Sequence, residues 1–286
     1  MKDVLIDWFY YTPKDVLEKF ASLDNSISHG EYKERFVFIP GSRQDRVLLV
    51  AHADTVFNRM KPKIKFENGV FSSELKNCGI GADDRAGCAI VWALKDLGHS
   101  IFIADGEESG CVASNYASSI PEINDMLQDH QFMIEFDRRG SNDLVFYDVG
   151  TKEFKSWCQH QFDGYKTNTG SFTDISVLAK KICGVNISIG YYSQHTSRET
   201  LVYSQWLNTL EKSRKVLSQK NIPKFELKRY KDFQTINQYD LSVSIYELNT
   251  TYQCDCCNSL IDKYEIENNN NRCPLCYNEM ECKHGN

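Results

Sequence analysis

No stretch of the 286 residues approaches the ~18–20 consecutive apolar residues that cross a bilayer, so a membrane-spanning protein is not expected. The opening residues, Met1-Lys2-Asp3-Val4-Leu5-Ile6-Asp7, carry two acids where a secretory signal would need a clean apolar run. There is no excess of basic charge either. Lys and Arg total 33 against 39 Asp and Glu, and the formal net charge of −6 argues against a coat for nucleic acid or an anionic membrane. Internal repeats are absent. Cysteine is not scarce, at 11, but its distribution excludes a secreted disulfide scaffold. Five (Cys78, Cys88, Cys111, Cys158, Cys183) are scattered, as small buried apolar residues are, and six crowd into the last 33 residues, as metal-binding clusters do. The expected setting is cytoplasmic.

What is present is enough apolar sequence for one sizeable α/β domain and a small appendage. Strands are predicted at 35–39, 46–51, 100–104, 132–136, 144–147 and 185–190. Several, such as Val47-Leu48-Leu49-Val50, are continuous apolar runs, the pattern of strands covered on both faces. Helices are predicted at 13–23, 84–97, 152–160, 173–181 and 198–218, the last stopping before Asn221-Ile222-Pro223. This alternation implies a three-layer α/β/α domain with a mostly parallel central sheet. Segments 64–67 and 70–73, joined by Asn68-Gly69, read as a hairpin outside that core. The expected division is a catalytic domain over 1–220, a connecting segment over 221–250 and a small module over 251–286. The stretch 212–231 is rich in Lys and Arg and reads as a solvated helix face leading into the connection.

Five short motifs carry the chemistry, and four follow directly on predicted strands. They are Ala51-His52-Ala53-Asp54, Gly81-Ala82-Asp83-Asp84-Arg85-Ala86-Gly87, Asp105-Gly106-Glu107-Glu108-Ser109-Gly110, Glu135-Phe136-Asp137-Arg138-Arg139, and Gly190-Tyr191-Tyr192-Ser193-Gln194-His195-Thr196-Ser197-Arg198-Glu199. Residues just beyond the carboxyl ends of parallel strands converge on one crevice. Gathering two imidazoles and four or five carboxylates there without cations costs several kcal/mol in repulsion and desolvation. A pair of divalent ions removes the conflict, since imidazole and carboxylate are ordinary zinc ligands and two ions roughly 3.5–4 Å apart can share one carboxylate.

This ordered set, His-x-Asp, Asp-Asp-Arg-x-Gly, Glu-Glu-x-Gly, Asp and His-Thr-x-x-Glu, resembles the dinuclear zinc exopeptidases over roughly residues 45–200. The resemblance implies that His52 and Asp137 hold one ion, Glu108 and His195 the other, and Asp83 bridges them, with a peptide after it that is often cis. It implies that Asp54 orients His52, and that Glu107 is the general base that moves the proton from water to the leaving amine. Zinc is the expected metal, and cobalt or manganese suits the same ligands. Arg138 is a candidate clamp for a substrate carboxylate, and Tyr191 or Tyr192 a candidate donor to an oxyanion. Taken singly, each motif has a plainer reading: a surface hydrogen bond, a helix start at Asp83-Asp84, an ion pair of Asp137 with Arg138 or Arg139. The segment between Asp137 and His195 leaves no room for an inserted lid domain, which points to the lid-free aminopeptidase branch.

In the tail, Cys254, Cys257, Cys273 and Cys276 form two C-x2-C pairs with fifteen residues between them, which suits one structural zinc and resembles a zinc ribbon. Its expected use is docking to a protein partner. The expected function is metal-dependent hydrolysis of peptide or amide bonds by a two-metal-activated water, of the aminopeptidase type, on a small peptide or acylated amino acid substrate. The alternatives are an N-acyl amino acid deacylase, a carboxypeptidase, and a non-catalytic adaptor working through the ribbon.

Overall fold

Strands buried at every position need cover on both faces, and this requirement organises the molecule. The computed structural model describes residues 2–58 and 60–227, with the backbone of 252–253 and 260–261. Its helices are α1 (Lys2–Trp8), α2 (Pro13–Ala21), α3 (Ala82–Leu94), α4 (Val112–Ser119), α5 (Pro121–Gln128), α6 (Lys152–Gln161), α7 (Asp174–Leu178) and α8 (Tyr203–Leu217). Its strands begin with β1 (Ile27–His29), β2 (Phe36–Ile39), β3 (Leu48–His52), β4 (Ile64–Glu67), β5 (Val70–Ser73) and β6 (Ser100–Ala104). They continue with β7 (Met133–Arg138), β8 (Asp143–Val145), β9 (Lys166–Asn168), β10 (Gly184–Ser188), β11 (Tyr191–Tyr192) and β12 (Thr200–Val202).

Eight strands form the central sheet in the order β1-β2-β6-β3-β7-β10-β8-β9. Strands β6, β3, β7 and β10 are mutually parallel, while β1, β2 and β8 join antiparallel to their inner neighbours. Alternate residues sort onto two faces. Val37, Leu49, Ala51, Ile101, Ile103, Ile134, Phe136 and Val185 pack under Leu5 and Trp8 of α1, Phe20 of α2, Ile90 of α3, Phe154 of α6 and Trp206 of α8. Phe36, Phe38, Val50, Phe102 and Met133 pack under Ala117 of α4, Leu127 of α5 and Leu178 of α7. The three layers follow from this period-two sorting of buried strands.

Local signals set the helix starts. Thr12 accepts from the Asp15 amide while the Asp15 carboxylate accepts from the Thr12 amide, with Pro13 at the first helical position, so α2 begins with a capping box. Two expectations need correction. The helix expected over 198–218 begins only at Tyr203, because Thr200–Val202 pairs with β5 as a strand. The hairpin β4–β5 lies in a separate sheet, β11-β12-β5-β4, yet it is not outside the core. Phe71 is fully buried, with ring centroids 5.5 Å from Phe9, 4.5 Å from Phe66 and 6.0 Å from Tyr203.

The chain divides into two units after Leu227. Residues up to that point join the first, since the Phe225 amide donates to Gln131, the Leu227 amide to Lys181, and the Cys183 amide to Phe225. The five scattered cysteines are free and buried. Cys254, Cys257, Cys273 and Cys276 lie outside the described residues; the described backbone segments Tyr252–Gln253 and Leu260–Ile261 pair antiparallel. Among the described residues, no helix is long and apolar enough to cross a membrane.

Candidate metal centre

Because β6, β3 and β7 are adjacent and parallel, the loops at their carboxyl ends open on one edge of the sheet. His52 is the last residue of β3, Glu107 and Glu108 form a tight turn after β6, and Asp137 lies near the end of β7. Asp83 stands at the start of α3, after a left-handed Gly81, and the Asp83–Asp84 peptide is cis. His195 comes from the turn between β11 and β12 and is itself left-handed, with φ of 61°.

These elements bring the five candidate ligands together. His52 Nε2 is 3.1 Å from Asp83 Oδ1 and 3.7 Å from Asp137 Oδ1. His195 Nε2 is 3.1 Å from Asp83 Oδ2 and 3.0 Å from Glu108 Oε2. Two groups of three result, His52/Asp83/Asp137 and Asp83/Glu108/His195, and within each the ligand atoms lie within 4.8 Å of one another. Asp83 belongs to both. Glu107 lies beside them, with Oε2 3.9 Å from His52 Nε2.

The donor set suits divalent cations. His52 Nδ1 donates to the Asp54 carbonyl at 3.0 Å, which turns Nε2 toward Asp83 and Asp137. Burial alone pushes the His52 imidazolium down, but the Asp137, Asp54 and Asp83 carboxylates hold it well above its usual range, so positive charge is strongly favoured at this point. Burial, and next the neighbouring Asp83, raises Asp137, while burial pushes Glu108 up to about 7. Glu108 Oε1 is buried without a hydrogen-bond partner. A cation in each group would supply what such acceptor-only atoms require. Glu107 rises well above the carboxylate range through burial, with Asp137, Asp174 and Glu108 adding to the shift.

The surrounding residues fix these side chains. Asp54 Oδ1 lies 3.3 Å from His52 Nδ1 and accepts the Glu107 amide at 3.1 Å. Asp84 accepts the His52 amide at 3.1 Å and the Gly87 amide at 3.1 Å, tying β3 to α3. Gly87 leaves the room this needs, because a Cβ there would fall 2.1 Å from the Phe136 carbonyl and 2.2 Å from Asp84 Oδ1. The guanidinium of Arg85 is buried and donates to the carbonyls of Tyr11 and Ala53, beside His52 and Asp54.

Three residues read from the sequence as substrate contacts have other engagements. Tyr191 is buried, and its hydroxyl donates to Asp137 Oδ1 at 3.0 Å, so it braces a candidate ligand instead of facing a substrate. The Tyr192 hydroxyl donates to Gln205 of α8 at 2.9 Å. Arg138 pairs with Asp143 at 3.4 Å and donates to the Thr169 carbonyl, the ion-pair reading with a different acid.

Sequence reasoning missed the clamp on Asp137. Asn186 of β10 accepts the Asp137 amide at 2.9 Å and donates to its carbonyl at 3.0 Å, and Thr173 donates to Asp137 Oδ2 at 3.4 Å. A polar residue inside the otherwise apolar Val185-Asn186-Ile187 was the available signal. Asp174 accepts from Ser114 at 2.6 Å and so ties α7 to α4. Glu199, quoted only as the end of a motif, accepts the amides of Gly81 and Asp83.

No family model and no curated protein matches this chain. Solved structures do. A tripeptidase from Staphylococcus aureus is similar over 76% of this chain and 98% of its own, with a TM-score of 0.56 and 14% identity. An aminopeptidase from the archaeon Desulfurococcus kamchatkensis is similar over 76% and 94%, with a TM-score of 0.55 and 11% identity. Aminopeptidase PepT from Bacillus cereus is similar over 75% and 96%, with a TM-score of 0.53 and 14% identity. At such identities the likeness concerns the backbone, and over about three quarters of its length the chain has the fold of these peptidases.

Proposed function

We propose that the chain is a metal-dependent hydrolase that removes residues from the amino end of small peptides. One observation carries the reading: Asp83 turns one carboxylate oxygen to His52 and the other to His195, so two ligand groups share it, with Glu107 alongside. His52, Asp137 and Asp83 would hold one ion, and Asp83, Glu108 and His195 the other. When bound, such a pair polarises a scissile carbonyl and lowers the pKa of the attacking water.

The chain's own groups do the rest. Glu107 takes the proton from the attacking water and returns it to the leaving amine, a shuttle suited to a carboxyl whose burial holds its pKa well above the usual carboxylate range. Asp54 links His52 to Glu107, because its backbone carbonyl accepts from His52 Nδ1 and its carboxylate accepts the Glu107 amide. Peptide substrates are favoured by the tripeptidase and aminopeptidases that share the fold. The amino-terminal end is favoured over the carboxyl end because Arg138, the candidate clamp for a carboxylate, is already engaged by Asp143 and Thr169.

The test is metal analysis together with turnover. The full chain should carry two chelator-removable divalent ions apart from any held by the tail cysteines, and should hydrolyse amino-acid anilides and tripeptides only when loaded. Turnover that persists after complete chelation, or none on any aminoacyl, N-acyl or C-terminal substrate with zinc, cobalt or manganese, rejects the reading.

A further inference from the structure

The turn that carries His195 is stiff in itself. Thr196 Oγ1 donates to the Ser193 carbonyl at 2.8 Å and accepts the Arg198 amide at 3.2 Å, and the Glu199 amide donates to the Thr196 carbonyl at 3.1 Å. Beyond the turn, β12 is fixed by pairing with β5. Four residues after His195, the turn reaches back to the segment that carries Asp83. Glu199 Oε2 accepts the Gly81 amide at 2.6 Å, and Oε1 accepts the Asp83 amide at 3.1 Å. The carboxylate is buried, 1% exposed, so these bonds are shielded from water. Gly79 makes the approach feasible, since a Cβ there would fall 2.7 Å from Glu199 Oε2 and 2.8 Å from the Thr196 carbonyl.

We infer that Glu199 is the positioning residue that registers the His195 turn against the Asp83 segment and so governs binding at the Asp83/Glu108/His195 group. The inference rests on the two-ion reading above. The two groups depend on Glu199 unequally. Asp83 is common to both, but His52 is registered to the same segment separately, through Asp84, which accepts the His52 amide. The His195 turn is registered to that segment through Glu199, which accepts the Gly81 and Asp83 amides. A carboxylate can accept two amides at once, whereas an amide side chain presents N–H to one of them. Glu199→Gln therefore keeps size and burial and breaks one half of the bracket.

Manganese(II) suits the test because it favours carboxylate and imidazole over the thiolates of the tail. The full-length, metal-free protein is titrated with manganese(II) and followed by electron paramagnetic resonance, which counts free ion and detects exchange-coupled pairs. Wild type should take up two ions, the second bringing the coupled signal. In Glu199→Gln the first ion should bind within about threefold of wild type and the second about 10–100-fold more weakly, with the coupled signal delayed to match. A second ion bound within about threefold of wild type overturns the role of Glu199, even if the melting temperature falls. A wild type that binds no pair of ions overturns the two-ion reading itself, and this inference with it. Should Glu199→Gln not fold, amide exchange in metal-free wild type decides. Slow exchange at both Gly81 and Asp83 supports the bracket, and exchange at the rate of an open loop overturns it.

Discussion

The hydroxyl of Tyr191 donates to Asp137 Oδ1 at 3.0 Å and lies 3.2 Å from the Asp137 carbonyl as well. The tyrosine is buried, so this bond is the use to which its polar end is put. Tyr191→Phe should therefore weaken binding of the ion proposed at His52, Asp83 and Asp137, by about 10-fold or more, as loss of an outer partner of a ligand does. Chelator competition measures this. Once saturated with metal, the variant should regain most of its turnover. A persistent fall in kcat at full metal occupancy would instead make Tyr191 a donor to the reacting oxygen.

In the proposed mechanism Glu107 moves a proton, whereas the candidate ligands hold metal. Glu107→Gln should leave both ions in place and lower kcat by roughly 10²–10⁴-fold, because the amide cannot carry the proton. Metal content and steady-state rates on one preparation check both halves. Full activity in the variant removes Glu107 from the proton path, and loss of metal makes it a ligand.

The parallel core was legible because β3 and β6 are apolar at all but one position and β7 and β10 carry short apolar runs, and the chemistry-bearing motifs sit at or near the ends of three of them. Other parts were not legible, for physical reasons. β9 is exposed at all three residues, so it has no hydrophobic pattern to read. α4, with Ser114, Ser118 and Ser119 among its eight residues, offers little helix-forming sequence. α5 did leave a signal, Pro121 at its first turn and Ile123 and Leu127 four apart, which went unread. Thr200-Leu201-Val202 fits an amphipathic helix as well as a strand, and only pairing with β5 decides between them. The brackets on the site were hidden for a further reason. Glu199 and Asn186 act on backbone groups of Gly81, Asp83 and Asp137, and side-chain patterns carry no trace of a backbone partner 49 to 118 residues away.

Phe71 joins the small sheet to the main core. It is fully buried against Phe9, Phe66 and Tyr203. Phe71→Ala should destabilise the protein by about 3–5 kcal/mol, the usual cost of removing a buried aromatic ring. Denaturant unfolding followed by circular dichroism measures it. A cost below about 1 kcal/mol would mean that the hairpin folds as an independent flap.

His130 predicts how stability depends on pH. The ring is 2% exposed, Nδ1 donates to the Leu127 carbonyl at 2.9 Å, and Nε2 is buried without a partner. Burial pushes its pKa down to about 4, from 6.5 in an open chain. Between those values the unfolded chain takes up a proton that the folded one refuses. The contribution of the neutral ring is therefore whole above pH 6.5, falls as the pH drops toward 4, and levels off below that. The full loss is roughly 3 kcal/mol at 1.36 kcal/mol per pKa unit. His130→Asn retains a donor for Leu127 and removes the titration, so its unfolding free energy should vary less with pH across this window than that of wild type. Parallel slopes for the two proteins between pH 6.5 and 4 would show that the acid sensitivity arises from other groups.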